Sequence, residues 1–357
     1  MALALTLGRR GLGRTWPNPA VGAVIVKNGV IVGRGWTQAG GRPHAEVEAL
    51  RRAGEAARGA TLYVTLEPCS HHGKSPPCAD AIIAADVARV VSALEDPNPK
   101  VAGEGHARLA AAGIGVDVGI GAEEARRDHA GHIRRVRDGR PHVTLKLAIS
   151  ADGKVAAAGR RPIAITGAEV RDRVHLMRAQ SDAIMVGIGT VLADDPLLTC
   201  RLPGMEKDSP VRVVLDGDLR LPASSRLVRT AREIPVWVIA SARAPSANEQ
   251  ALSAAGVVIA RIPNRSGQFD MSTVLKLLAE RGITRLMVEG GPTLAASLVA
   301  ADLIDEAVLF RSARSVGADG IDALEDLPLT ALTSSPRFGR VKSEPLGADI
   351  WDVFERK

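Results

Sequence analysis

Residues 67–78 read EPCSHHGKSPPC, which sets two cysteines, two histidines and three prolines within twelve positions of a chain that has only one further cysteine. Soft donors at that density point to a metal site. Upstream, the segment PHAEVEAL (43–50) places His44 and Glu46 two residues apart at a predicted helix start. A hydrolytic zinc site needs three protein ligands and one open position, because a closed four-ligand shell is structural only. His44, Cys69 and Cys78 supply three donors, and Glu46 is near enough in sequence to reach the open position without being a ligand. Cys69 leaves a predicted strand and opens a turn toward a helix, where backbone N–H groups favour its thiolate. Glu46 can take a proton from the attacking water and hand it to a leaving nitrogen. A closed zinc site with His71 or His72 as fourth ligand is the bland alternative, but a His-x-Glu opening a helix has no purpose in such a shell.

Composition bounds the rest. At 357 residues, two domains are expected, and 46% hydrophobic with 24% charged residues describes a globular rather than a disordered chain. The net charge of +6 is spread among mixed charges, the densest basic run being HIRRVRDGR (132–140), which reads as a solvated helix face. With 3% aromatics there are few platforms for stacking bases, so no nucleic-acid partner is expected. Three cysteines build no disulfide framework and favour a reducing compartment. The opening MALALTLGRRGLG reverses the order of a signal peptide, and no apolar run approaches the roughly 18 residues of a membrane span. A cytoplasmic protein without a membrane partner, and a homo-oligomer, is the expectation.

Val- and Ile-rich runs alternate with helical periodicity through most of the chain, the signature of an α/β architecture. VGAVIVKNGVIVGRGW (21–36) predicts a hairpin turning at Asn28 and Gly29. A helix is predicted over 44–53 with Pro43 at or near its first position, then a strand over 60–66 that delivers Glu67 at its exit, a helix over 79–86, a strand over 88–94, a helix over 104–112, a strand over 114–118 and one basic helix over 123–137. RDGRP (137–141) breaks the pattern and marks the boundary between domains 1–140 and 141–357. Beyond it, strands are predicted at 142–150, 182–187, 211–216, 234–241 and 285–291, with helices over 169–179, up to about 282, and from 293 onward.

HAE (44–46) followed by PCSHHGKSPPC (68–78) resembles the zinc-dependent cytidine-deaminase superfamily, whose short signature has two residues between its cysteines where this chain has eight. With TWPNPAVGAVIV (15–26) and DPNP (96–99), the lengthened form resembles the deaminase half of the bifunctional riboflavin-biosynthesis deaminase/reductase family. EGGPTLAASL (289–298) follows a predicted strand and opens a helix, where glycines let backbone N–H groups approach a phosphate. Together with TLKLAISADGK (144–154) and RAQSDAIMVGIGTVLADDPLLTCR (178–201) it resembles the reductase half of the same family.

The resemblance implies an α/β chain whose cytidine-deaminase-like N-terminal domain, 1–140, is a zinc-dependent pyrimidine deaminase and whose dihydrofolate-reductase-like C-terminal domain, 141–357, is an NADPH-dependent reductase. The substrate it implies is a phosphorylated pyrimidine, a diaminopyrimidinone carrying a phosphoribosylamino group, which loses its exocyclic amine as ammonia. The ribosyl group is then reduced to ribityl. One zinc per chain would be held by His44, Cys69 and Cys78, with Glu46 catalytic and Asn18, His71, Lys74, Asp96 and Asn98 binding substrate. In the reductase, Ala148, Thr190, Asp194, Gly217 and the run Gly291, Pro292, Thr293, Leu294, Ala295, Ala296 and Ser297 would contact the cofactor. Arg178, Leu198, Arg201 and Glu289 would face the substrate, the arginines suiting a sugar phosphate, and Lys146 and Asp152 would lie near hydride transfer. Where relatives carry Ser and Trp, this chain reads RRPIAIT (160–166), so contacts in that loop are not carried over. The rival reading is a nucleic-acid or nucleotide deaminase with an accessory binding domain. A zinc-stabilised scaffold is the non-enzymatic one.

Overall fold

Asn28 and Gly29 both take left-handed backbone conformations, φ 50° and 77°, and join β1 (Gly22–Lys27) to β2 (Val30–Trp36) as an antiparallel hairpin. These are features of a computed structural model, which describes residues 1–71, 76–99, 101–265 and 267–357. The chain divides into two units, Met1–Arg140 and Pro141–Lys357.

In the first unit the hairpin extends into a five-stranded sheet with β3 (Thr61–Val64), β4 (Arg89–Ser92) and β5 (Gly115–Val118), in the order β2-β1-β3-β4-β5. β1 is antiparallel to both its neighbours, and β3, β4 and β5 run parallel. Among the described residues six α-helices accompany it: α1 (Ala2–Gly8), α2 (Ala45–Ala53), α3 (Cys78–Ala84), α4 (Glu104–Ala111), α5 (Ala122–Asp128) and α6 (Ala130–Asp138). Ile25, Leu62, Val64, Ile82, Val90 and Leu109 form its dry centre. Helix α2 lies hard against β2, because a Cβ at Gly33 or Gly35 would come within 2.3 or 2.2 Å of the Ala49 or Ala45 carbonyl oxygen. Only glycine permits that approach, and it sets where the helix begins. His44 is the extended N-cap residue of α2, and Pro43 stands one residue before it, near the first helical position and not at it. The basic helix expected over 123–137 is two helices that meet at His129, a buried residue whose Nε2 lies 3.1 Å from Thr65 Oγ1. That partner is 64 positions away and leaves no mark on the local periodicity.

The second unit contains β6 (His142–Ile149), β7 (Lys154–Ala156), β8 (Ala183–Gly187), β9 (Val211–Leu215), β10 (Val236–Ser241), β11 (Val258–Ile262), β12 (Asn264–Arg265), β13 (Gln268–Phe269), β14 (Arg285–Val288), β15 (Glu306–Arg311), β16 (Ile321–Asp322), β17 (Phe338–Leu346) and β18 (Asp349–Arg356). Nine of them form one sheet in the order β11-β10-β9-β8-β14-β6-β15-β18-β17. It is parallel from β11 to β15 and closes with antiparallel β18 and β17. Helices α7 (Ala168–Ala179), α8 (Ile188–Asp194), α9 (Arg226–Arg229), α10 (Glu249–Ala254), α11 (Met271–Glu280), α12 (Pro292–Ala300) and α13 (Thr330–Thr333) complete it. Strands β7, β11, β12, β13, β15, β16, β17 and β18 are not among those expected from the sequence. β17 in particular is mostly exposed or half-exposed along its length, so no alternation of apolar residues announces it. At the sheet centre Val288 pairs with Leu145 and with Met185, which sets Glu289, just past the carboxyl end of β14, level with Lys146 in the second half of β6 and with Val186 near the end of β8. In open α/β sheets that end is where ligands bind.

Candidate functional site

The chain brings His44, Cys69 and Cys78 together from three places: the N-cap of α2, the turn after β3, and the first residue of α3. His44 Nδ1 lies 3.7 Å from Cys69 Sγ and 3.3 Å from Cys78 Sγ, and all three donor atoms fall within 4.8 Å of one another. Zinc bonds of about 2.0 Å to nitrogen and 2.3 Å to sulfur, at tetrahedral angles, demand donor separations of about 3.5 Å. The set therefore fits zinc by spacing and by softness. Cys78 N–H donates to Cys69 Sγ at 3.3 Å. Hydrogen bonding from Cys78 is the main reason the Cys69 thiol is lowered to about 4, in spite of its burial, and His44 adds to it. The reciprocal effect of Cys69, with burial, drives Cys78 upward, and the bond to Cys69 raises His44. Two sulfurs and an imidazole nitrogen held this close form a soft donor set suited to a cation.

Glu46, in the first turn of α2, is buried, and burial pushes its carboxyl up to about 7 against the opposing pull of His44. It also shares a hydrogen bond with the Cys78 side chain. A carboxyl that titrates near neutrality next to the metal donors suits a proton carrier.

The remaining described residues singled out in this unit lie outside its helices and strands. Asn18 donates its side-chain amide to the Gly41 carbonyl at 2.8 Å, three residues before His44. Asp96 accepts the Asn98 N–H at 2.8 Å, and Asn98 in turn accepts from Val101 and Ala102. Burial works against it, yet Asp96 is held below the usual carboxylate value by His132, by the Asn98 N–H and by the charge of His71. Lys74 lies outside the described residues. His132 belongs to the basic run expected as a solvated face, but its Nε2 lies 3.9 Å from Asp96 Oδ1 and its side chain is largely buried. Glu67 was also passed over, although it directly precedes Pro68 and Cys69, and it proves to be a buried carboxylate with four backbone donors.

In the second unit a cavity of about 360 Å³ opens at the carboxyl ends of β6, β8 and β14. Lys146, Ala148, Thr190, Asp194, Glu289, Gly291, Pro292, Thr293 and Leu294 line it. The rest of the predicted cofactor run turns away: Ala295 is packed in the interior, and Ser297 bonds back to the Thr293 carbonyl. Ala296, Gly217, Leu198, Arg201 and Asp152 are likewise not among the lining residues. Gly217 sits at the exit of β9 facing Asn264 and Phe269 at about contact distance, and Leu198 is buried in the core. Asp152 is instead a loop tie, lowered first by Ser150 and then by the N–H groups of Val316 and Gly317. Arg178 does not offer its guanidinium to the cavity. Nε and Nη2 grip both oxygens of Glu289 at 2.9 and 2.8 Å, and Nη1 donates to the Thr199 carbonyl at 3.1 Å. Lys146 Nζ approaches the same carboxylate at 3.5 Å. Burial would raise Glu289, but the two cations hold it down to about 2.

Several lining residues carry no expectation from the sequence, among them Gly187, Gly189 and Ile163. A Cβ at Gly187 or Gly189 would meet nothing within 4 Å, and one at Gly291 would meet only Thr190 Oγ1 at 3.5 Å. A glycine-walled cleft at the start of α12 is what a dinucleotide's phosphates require, so the residues fit such a cofactor. The loop RRPIAIT meets the cleft through Arg160, Pro162 and Ile163, while Arg161 bonds to the Ala158 carbonyl.

Residues 1–94 match the family model described as the cytidine and deoxycytidylate deaminase zinc-binding region, and residues 141–351 match the RibD C-terminal domain. The riboflavin biosynthesis protein RibD of Escherichia coli (strain K12) is 42% identical over 362 residues, 98% of this chain and 96% of that protein. That of Aquifex aeolicus (strain VF5) is 42% identical over 356 residues, 100% of this chain and 97% of its own length. Among solved structures, Acinetobacter baumannii RibD superposes with a TM-score of 0.87 at 37% identity, covering 100% of this chain and 97% of the other. A diaminohydroxyphosphoribosylaminopyrimidine deaminase/5-amino-6-(5-phosphoribosylamino)uracil reductase from Thermotoga maritima does so at 0.86 and 36%, with the same coverage.

Proposed function

Since this chain belongs to the family of bifunctional riboflavin-biosynthesis deaminase/reductases, we propose the following division of its two reactions among its own residues. The protein is a zinc-dependent deaminase and an NADPH-dependent reductase, cytidine-deaminase-like in fold at its N-terminus and dihydrofolate-reductase-like at its C-terminus. The first unit, 1–140, carries deamination and the second, 141–357, carries reduction.

In deamination, a water adds to the pyrimidine carbon bearing the exocyclic amine, the carbon–nitrogen bond breaks, and ammonia leaves with the carbonyl in place. His44, Cys69 and Cys78 hold the zinc, whose contribution when bound is Lewis acidity toward water. Glu46 takes the water proton on its carboxylate and returns it to the departing nitrogen, a transfer for which its value of about 7 is suited. Asn18, His71, Lys74, Asp96 and Asn98 bind the phosphorylated substrate, with His132 behind Asp96. The observation that carries this assignment is the convergence of three soft donors on a buried carboxyl.

In reduction, the opened ribose carbon accepts hydride and its heteroatom accepts a proton. The cofactor supplies the hydride. Thr190, Asp194, Ala148 and residues 291–294 cradle it, Lys146 meets the substrate oxygen at the cavity wall, and Glu289 with Arg178 holds Lys146 in place. Arg178 is thus a strut behind Glu289 rather than a phosphate ligand. The deciding experiment measures ammonia release from the diaminopyrimidinone phosphate, zinc content, and NADPH oxidation once the deaminated product is present. Ammonia without NADPH oxidation would sink the reductase assignment. Work in the cytoplasm as a homo-oligomer completes the proposal; among the described residues no helix is long and apolar enough to cross a membrane, and light scattering tests the assembly.

A further inference from the structure

Glu67, Glu95 and His106 form a second group of potential metal-binding side chains in the first unit, with ligand atoms within 4.8 Å of one another. The hydrogen bonding of Glu67 argues against a cation there. Its Oε2 accepts from the N–H groups of Asp96 at 2.9 Å and Gly103 at 3.0 Å, and its Oε1 from those of Gly105 at 2.8 Å and His106 at 3.3 Å. His106 Nε2 is engaged with Ser92 Oγ at 3.0 Å, and its Nδ1 stands 3.8 Å from Glu67. Four N–H dipoles converging on one buried carboxylate make an anion cage that is already filled. They also supply the compensation a buried charge needs.

The two sides of this cage matter for the reaction. Glu67 stands two residues before the metal donor Cys69, whereas its donors all lie in 96–106, the segment that begins with Asp96 and leads into the first turn of α4. The same two segments meet elsewhere. A Cβ at Gly105 would come within 2.0 Å of the Pro68 carbonyl oxygen. Arg108 of α4 donates to the Ser70 carbonyl at 3.1 Å and pairs with Asp80 of α3 at 2.6 Å. The metal turn and the stretch from Asp96 to Arg108 therefore meet in a clasp of three points, and the buried Glu67 carboxylate is one of them.

We propose that Glu67 is a positioning residue for deamination, a carboxylate that fixes the Asp96–Asn98 turn at a set distance from the metal donors. This rests on the reading of Asp96 and Asn98 as substrate contacts. Such a residue acts on substrate binding, whereas the donors and Glu46 act on the chemistry. In Glu67→Gln one oxygen becomes an NH₂ group that faces N–H donors, so part of the cage repels its own contents. Glu67→Ala removes the carboxylate and leaves all four N–H groups without their acceptor.

The test uses the full-length zinc-loaded protein and the diaminopyrimidinone phosphate, and it follows zinc content, kcat, KM and reductase turnover. For Glu67→Gln, one zinc per chain and, with the deaminated product supplied directly, unchanged reductase turnover are expected, with KM for deamination raised about tenfold and kcat nearly constant. Glu67→Ala should raise KM further, so that Gln counts as partial rescue. Unchanged KM in zinc-loaded Glu67→Gln overturns the proposal, as does loss of zinc in parallel with kcat, which would make Glu67 a support of the metal turn alone. If Glu67→Gln does not fold, Gly105→Ala decides by the same KM and kcat split, since its Cβ pushes the segments apart while leaving the carboxylate. Asp96→Ala and Asn98→Ala are measured alongside. If they raise KM and the clasp variants do not, only this inference fails. If they leave KM unchanged, the substrate reading fails and the clasp has nothing to position.

Discussion

Glu46 and Glu289 are both buried carboxyls, yet their surroundings drive them in opposite directions: burial lifts Glu46 to about 7, while Lys146 and Arg178 hold Glu289 at about 2 despite its burial. The first carries a proton and the second a permanent charge. Glu46→Gln keeps the shape and every metal donor, so zinc content should stay at one per chain while deamination falls by about 10²–10⁴-fold. Metal analysis and ammonia release on one sample check both halves, and full activity or lost zinc would refute the role. For Glu289 the sign follows from its depressed value. A carboxyl lowered in the folded state stabilises fully above its ordinary value of 4.5, and that contribution is lost as pH falls through about 2. Thermal melts of the wild type and Glu289→Gln should therefore differ most at neutral pH, and their gap should narrow only below about 4.5. A gap that is constant from pH 7 to 3 would contradict the ion-pair account.

At the scale of elements, the start of α12 is a clear case of space rather than conformation requiring glycine. Gly291 has φ −67° and ψ 171°, open to any residue, and a Cβ there meets only Thr190 Oγ1 at 3.5 Å. Gly291→Val should fold normally and project its methyl groups into the cleft. Its affinity for NADPH should fall on the order of tenfold or more, with zinc and deamination intact. Calorimetric titration with NADPH gives the answer, and wild-type affinity would remove the cofactor from this turn. The 160–166 loop faces the same cleft with Arg160, Pro162 and Ile163, while Ala164 is exposed. Ala164→Trp should consequently leave NADPH turnover within about twofold, as substitutions at exposed positions usually do.

For the whole molecule, each unit has its own interior, one centred on Ile25, Leu62 and Val90 and the other on Ile184, Val214 and Phe310. A chain of residues 1–140 should bind zinc and release ammonia, and one of residues 141–357 should oxidise NADPH with deaminated substrate. Zinc analysis and ammonia release decide the first, and aggregation of both pieces under all conditions would count against the division. What the sequence by itself determined was chemistry written in near neighbours: the hairpin turn at Asn28 and Gly29, the His44 and Glu46 pair at a helix start, the cysteines of the inserted turn, and the glycines before α12. Turn geometry and helix starts depend on a few adjacent residues, so they can be read locally. Tertiary structure alone decided partners and facing. Arg178 found Glu289, 111 positions away, because β14 lies between β8 and β6. The cage of Glu67, the approach of His132 to Asp96, the break at His129 and the turning away of Ala295 and Ser297 have the same origin. Hydrogen bonds and burial between segments distant in the chain depend on strand order and packing, which no local pattern encodes.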